Sequence, residues 1–115
     1  AVLTTNTWTQ QQYFPMATLT DASTVAWDGQ TQQTAVVTLG GNRTLGAISN
    51  QAAGATYILI VKQDATGTRT LAYNSNYLFP GGTDPVLSTA ASAKDVLTFV
   101  SDGTNMYGAI QKAFA

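Results

Sequence analysis

The amino-acid sequence predicts an all-β fold: an antiparallel β-sandwich or jelly roll of about eight short strands, with an extended N-terminal arm. Three observations carry this. Thr makes up about a sixth of the chain, and Val, Ile, Tyr, Phe and Trp accompany it; these residues fit a half-buried pleated surface. Short runs of alternating apolar and polar residues are bounded by Gly, Asn and Asp. No long stretch carries the 3.6-residue apolar period of an amphipathic helix.

Residues 1–15 are expected to form the arm. Trp8, Tyr13 and Phe14 stand there among Thr and Gln, and Pro15 biases Phe14 to an extended conformation. The arm packs either on its own domain or on a neighbouring subunit. Residues 16–115 are expected to form one β-sandwich domain. Short strands are expected at 17–20 and 24–28, and a longer one at 33–39, after which Gly40, Gly41 and Asn42 tolerate positive φ. A weaker strand covers 43–48, and 49–54 is a turn. Residues 56–63, TYILIVKQ, form the strongest strand, so continuously apolar in its middle that both of its faces are expected to be covered. Asp64 to Gly67 is expected to close a hairpin into a strand at 68–73. Residues 74–85 form a long loop, and 90–94 a small-residue turn. Residues 95–101 alternate clearly, and Asp102-Gly103 closes a second hairpin into 105–114. In that last strand Met106, Gly108 and Ile110 face one way, and Tyr107 and Ala109 the other.

Composition narrows the function. The chain has 115 residues, no His, no Cys and no Glu, and only 10% of its residues are charged. The usual general acid/base groups and transition-metal ligands are therefore mostly missing, and the expectation is a non-enzyme with no cofactor and no bound metal. A disulfide scaffold is excluded, and the absence of Cys fits synthesis in a cytosol. The formal net charge is −1, and the five cations, Arg43, Lys62, Arg69, Lys94 and Lys112, are scattered, so nucleic acid is not an expected partner. No apolar run is long enough to insert in a membrane, and the first residues show no secretory leader pattern. So few charges suit a chain that hides surface against copies of itself.

The order of features from Thr56 onward resembles a β-domain of tailed-bacteriophage virion proteins. An apolar strand ends in Lys62-Gln63-Asp64 and is followed by a Thr-Gly turn and Arg69-Thr70-Leu71. Then come Tyr77 to Gly82 (YLFPGG), Pro85 to Leu87, and the Asp95-Val96-Leu97 strand with its Asp102-Gly103 hairpin. Residues 18–45 are similar to the first half of the same domains. The resemblance covers about residues 16–114 and implies a structural protein on the virion exterior, of tail fibre, head fibre or capsid-decoration type. Such proteins are commonly homotrimers, and some touch the host surface. The arm departs from a minimal domain of this kind and is expected to attach it to other virion proteins, with Trp8, Tyr13 and Phe14 as interface residues, since Trp is enriched among binding hot spots.

Each candidate site has a plainer role beside it. The six Asp could supply the carboxylate pair of a polysaccharide-degrading enzyme or a calcium site. Most stand in or beside turns, where Asp bonds its own backbone, and turn chemistry is the better account. Tyr73, Asn74, Asn76, Tyr77, Phe79 and Asp84 could together contact host-surface polysaccharide, the aromatics by stacking and the polar groups by hydrogen bonds. The plainer role for Tyr77 and Phe79 is to anchor a long loop in the core. Gly40-Gly41 and Gly81-Gly82 lack the Lys-Ser/Thr and the helix of a phosphate loop and are turn glycines. Asn42-Arg43-Thr44 has the N-glycosylation pattern, which goes unused in a phage protein. Trp27 is expected in the core. A free-standing carbohydrate-binding module is the alternative function.

Overall fold

The alternation of buried and exposed side chains seen in the sequence becomes nine strands in a computed structural model that describes residues 15–114. They are β1 (Ala17–Thr18), β2 (Thr24–Val25), β3 (Thr34–Leu39), β4 (Arg43–Leu45), β5 (Thr56–Gln63), β6 (Leu71–Tyr73), β7 (Tyr77–Leu78), β8 (Lys94–Ser101) and β9 (Met106–Phe114). A short 3₁₀ turn lies at Pro80–Gly82. The expected arm falls almost wholly outside the described residues.

The strands form two sheets, one of six in the order β1-β3-β5-β8-β9-β7 and one of three in the order β2-β4-β6. The predicted all-β class is what the structure shows, but the pairing is mixed rather than antiparallel. From β1 to β6 successive strands alternate between the two sheets, and β1 to β4 each pair in parallel with the strand two places on. Ala17 lies beside Ala35 and Ala35 beside Leu59; in the small sheet Thr24 lies beside Thr44 and Thr44 beside Ala72. The chain thus winds as a short two-sheet coil, each turn placing one strand in each sheet. Parallel neighbours need a crossover, and here the other sheet supplies it. The C-terminal part abandons the coil. There β8 pairs antiparallel with β5 and β9, closing the expected hairpin at Asp102-Gly103.

The expected hairpin at 64–67 does not form. Asp64 Oδ1 does accept the N–H groups of Thr66 and Gly67, as turn chemistry predicts. Gly67, at φ 74°, then presses against the 89–91 segment, where a Cβ would lie 2.6 Å from the Thr89 carbonyl oxygen. The chain leaves β5 for the small sheet, so that β6 pairs with β4 instead.

The core lies between the sheets. Trp27, Tyr57 and Phe99 fill its centre, with Trp27 edge-on to both partners at centroid distances of 6.2 and 5.8 Å. Leu39, Leu45, Leu59, Leu97 and Met106 pack around them, fully buried. Buried polar groups are satisfied. Gln63 donates from Nε2 to the Arg69 and Ser88 carbonyls and accepts the Arg69 N–H, tying three segments together. Asp95 accepts the N–H groups of Ser88 and Ala113; the second bond lies beside the irregularity where the β8–β9 register shifts.

Candidate functional site

The residues singled out around the 74–85 loop do come together, but not as one exposed platform. Tyr-Leu-Phe at 77–79 alternates in, out, in: Tyr77 and Phe79 are buried while Leu78 is exposed. Strand β7, hidden in what the sequence presents as a loop, pairs in parallel with β9 through Tyr77–Met106 and Leu78–Tyr107. Tyr77 packs at 5.2 Å from the Phe99 ring and donates its hydroxyl to the Gly46 carbonyl at 2.7 Å. Phe79 lies 5.9 Å from Phe99 and 4.8 Å from Tyr73. Burial holds the Tyr73 and Tyr77 phenols protonated well beyond the ordinary range.

The polar members are partly exposed. Asn74 Oδ1 accepts the Asn76 N–H, and Asn76 donates its amide to the Thr104 carbonyl. These bonds fix the chain's entry to β7 and tether it to the β8–β9 turn. Asp84 is fully on the surface, beside Pro85 and Val86. Tyr77 and Phe79 have little face to offer a ligand; Tyr73, Asn74, Asn76 and Asp84 retain some. Trp8, Tyr13 and Phe14 lie outside the described residues.

The remaining carboxylates are engaged locally. Asp21 forms a two-pronged ion pair with Arg43, which holds its carboxyl below the ordinary carboxylate range, and also accepts the Gly40 N–H. Asp64 pairs with Arg69 and caps its own turn, with the same effect. Asp28 is lowered by the Asn50 amide and the Gln30 N–H. Asp102 is lowered by the Asn105 and Thr104 N–H groups and then by the Tyr107 hydroxyl. These are turn and cross-strand roles, the ones expected of Asp in such sequence. Among the described residues no group of three or more His, Cys, Asp or Glu is placed to hold a metal ion, and no helix is long and apolar enough to cross a membrane.

A feature with no counterpart among the sequence-predicted sites lies on the outer side of β7, β8 and β9. Leu78, Pro80, Val100, Tyr107 and Ala109 line an open recess of about 470 Å³ with almost no polar surface. Tyr107 is 49% and Val100 48% exposed, and a second open recess lined by Thr83, Asp84, Val86 and Ile110 adjoins it along Pro80 and Ala109. The signal was present in the alternation of 95–101 and 106–110, whose outward positions hold Val96, Val100 and Tyr107 where a solvated strand would carry charge.

A family model described as "Putative phage tail fibre C-terminal domain" matches residues 18–106, most of the two-sheet coil and the start of β9. No curated protein and no solved structure matches the chain.

Proposed function

The chain belongs to the phage tail fibre C-terminal domain family, a structural part of a phage particle, and on that premise we propose that it is a non-catalytic, self-associating module at the far end of a fibre. The family match over 18–106 carries the reading. Two structural features support it: five of the six Asp serve turns, ion pairs or buried backbone, and an uncharged aromatic core closes the coil in a chain with no Cys. The 10% charge content supports assembly of copies around an axis, with a trimer favoured. In this reading the segment 1–15 attaches the module to other virion proteins through Trp8, Tyr13 and Phe14.

Contact with host-surface glycan falls, in the same proposal, to the partly exposed Tyr73, Asn74 and Asn76 and the exposed Asp84, with Tyr77 and Phe79 as buried anchors of the loop that presents them. Competition tests this. Purified chain added to host cells before the phage slows adsorption in proportion to its concentration, and Asn76→Ala with Asp84→Ala weakens the competition. Adsorption unaffected at saturating chain assigns the module to fibre architecture alone.

A further inference from the structure

We propose that the outer face of the six-stranded sheet is the surface on which a second copy of this chain docks. The proposal rests on the self-association proposed above and names its surface. The registers place the outward side chains in rows. Val36 lies beside Ile60 and Ile60 beside Val96; Ile58 lies beside Thr98; Val100 lies beside Tyr107. The apolar rows are therefore Val36, Ile60 and Val96, then Ile58 between Thr34 and Thr98, with Val100 and Tyr107 in the end row beside Thr56, and no charge falls among them. An antiparallel or mixed sheet that faces water on one side normally alternates apolar-in with polar-out. Strand β5 breaks that rule. Its inward residues Tyr57, Leu59 and Val61 are buried in the core, yet its outward residues Ile58 and Ile60 are also apolar and keep part of their surface open among the described residues. A strand apolar on both sides belongs in a sheet covered on both sides, and among the described residues only the inner side is covered by a second sheet.

The rim has the anatomy of an interface. Lys62 and Lys94 stand directly opposite each other at one end of the face, with no carboxylate within salt-bridge distance among the described residues. Thr18 and Gln111 close the Val36–Ile60–Val96 row at its two ends. An apolar centre inside a polar margin is the common pattern of protein interfaces. The size also fits a second copy. The 35 residues of its six strands, at about 3.3 Å rise and about 4.8 Å spacing, give a flat area of roughly 550 Å², which corrugation enlarges toward the ~800 Å² per partner of a stable interface. A copy of the chain brings the same face, and around the axis of the proposed trimer each copy turns its apolar rows inward, with Lys62 and Lys94 left at the solvated end.

Light scattering on the full chain, with melting curves to confirm folding, tests the proposal. Wild type is expected as a multiple of 12.1 kDa. Val96→Lys places a charge in an inner row of the face and Val100→Lys one in the recess at its end, and each is expected to weaken self-association at least about thirtyfold, the loss typical of a hot-spot position. Val100 is half-exposed, so its Lys variant is expected to keep the wild-type fold. Ala72→Lys, on the exposed side of the small sheet, is expected to leave the mass unchanged. An oligomer insensitive to both valine variants, or one dissociated by Ala72→Lys alone, overturns the assignment of the face while self-association stands. A wild-type monomer, with the face covered by its own residues 1–14 or left bare, overturns both.

Discussion

Replacing Gly108 by Ala should destabilise the protein although Ala is the better strand residue. A Cβ at position 108 would lie 2.5 Å from Cδ1 and Cε1 of Phe99 and 2.9 Å from Cε1 of Phe79. Carbon atoms pack best at about 3.5–4.0 Å, so the rings must retreat by about 1 Å. They have nowhere to go. Phe99 is fully buried and bears on Trp27, Tyr77 and Phe79, and Phe79 bears on Tyr73. Overpacking of this kind costs about 1–3 kcal/mol, and two rings place it at the upper end. The intrinsic gain of Ala over Gly in a strand offsets about 0.5–1 kcal/mol. The net loss is about 2 kcal/mol, a fall in Tm of roughly 8 °C for a chain of this size. Urea unfolding followed by Trp fluorescence, at fixed protein concentration, should show a lower midpoint at unchanged slope. Phe99→Leu in the same chain should reduce the cost of the Ala, a coupling that a double-mutant cycle reads directly. A Gly108→Ala midpoint at or above wild type would refute the packing argument.

Other consequences follow from the same geometry. Gln63→Ala leaves the Arg69 N–H and the Arg69 and Ser88 carbonyls without their partner; a loss of about 2–4 kcal/mol is expected, with faster tryptic cleavage after Arg69 than in wild type. Tyr77→Phe removes the bond to Gly46 but keeps the ring; the expected cost is about 1 kcal/mol by thermal melting, and a loss as large as that of Tyr77→Ala would contradict it. The carboxyls of Asp21, Asp28, Asp64 and Asp102 are all stronger acids folded than the ordinary 3.8. Their contribution is therefore full above that value and is lost as pH falls through the folded values. With no His in the chain, urea midpoints should be nearly flat from about pH 5 to 8 and fall below about pH 4; a midpoint that rises on acidification would reverse the sign of the argument.

What could be seen in advance divides along the line between local and distant interactions. The β8–β9 hairpin was legible because Asp102 and Gly103 lie in the turn itself, Asp102 capping its own loop and Gly103 at φ 93°. Trp27 was legible as core. The coil was not, because a parallel strand finds its neighbour a full turn away, and nothing near Ala35 marks Leu59 as its partner. Asp64 to Gly67 shows how turn chemistry misleads: the local bonds form as expected, but the contact of Gly67 with the 89–91 segment decides where the chain goes. The in-out-in order of Tyr77, Leu78 and Phe79 carried a strand signal that Pro80-Gly81-Gly82 obscured. Of the candidate contact residues, grouping near one loop was legible and depth was not, since Tyr77 owes its burial to Phe99 and Gly46, both far along the chain. The outward Val96, Val100 and Tyr107 were readable as an alternation whose wrong-side members are apolar.

Whether this domain stands at the far end of a phage tail fibre can be read on intact particles. Gold-labelled antibodies raised against the purified chain, viewed by electron microscopy, should decorate the distal ends of the fibres. Label on the head, or label only after the particles are disrupted, would contradict that placement.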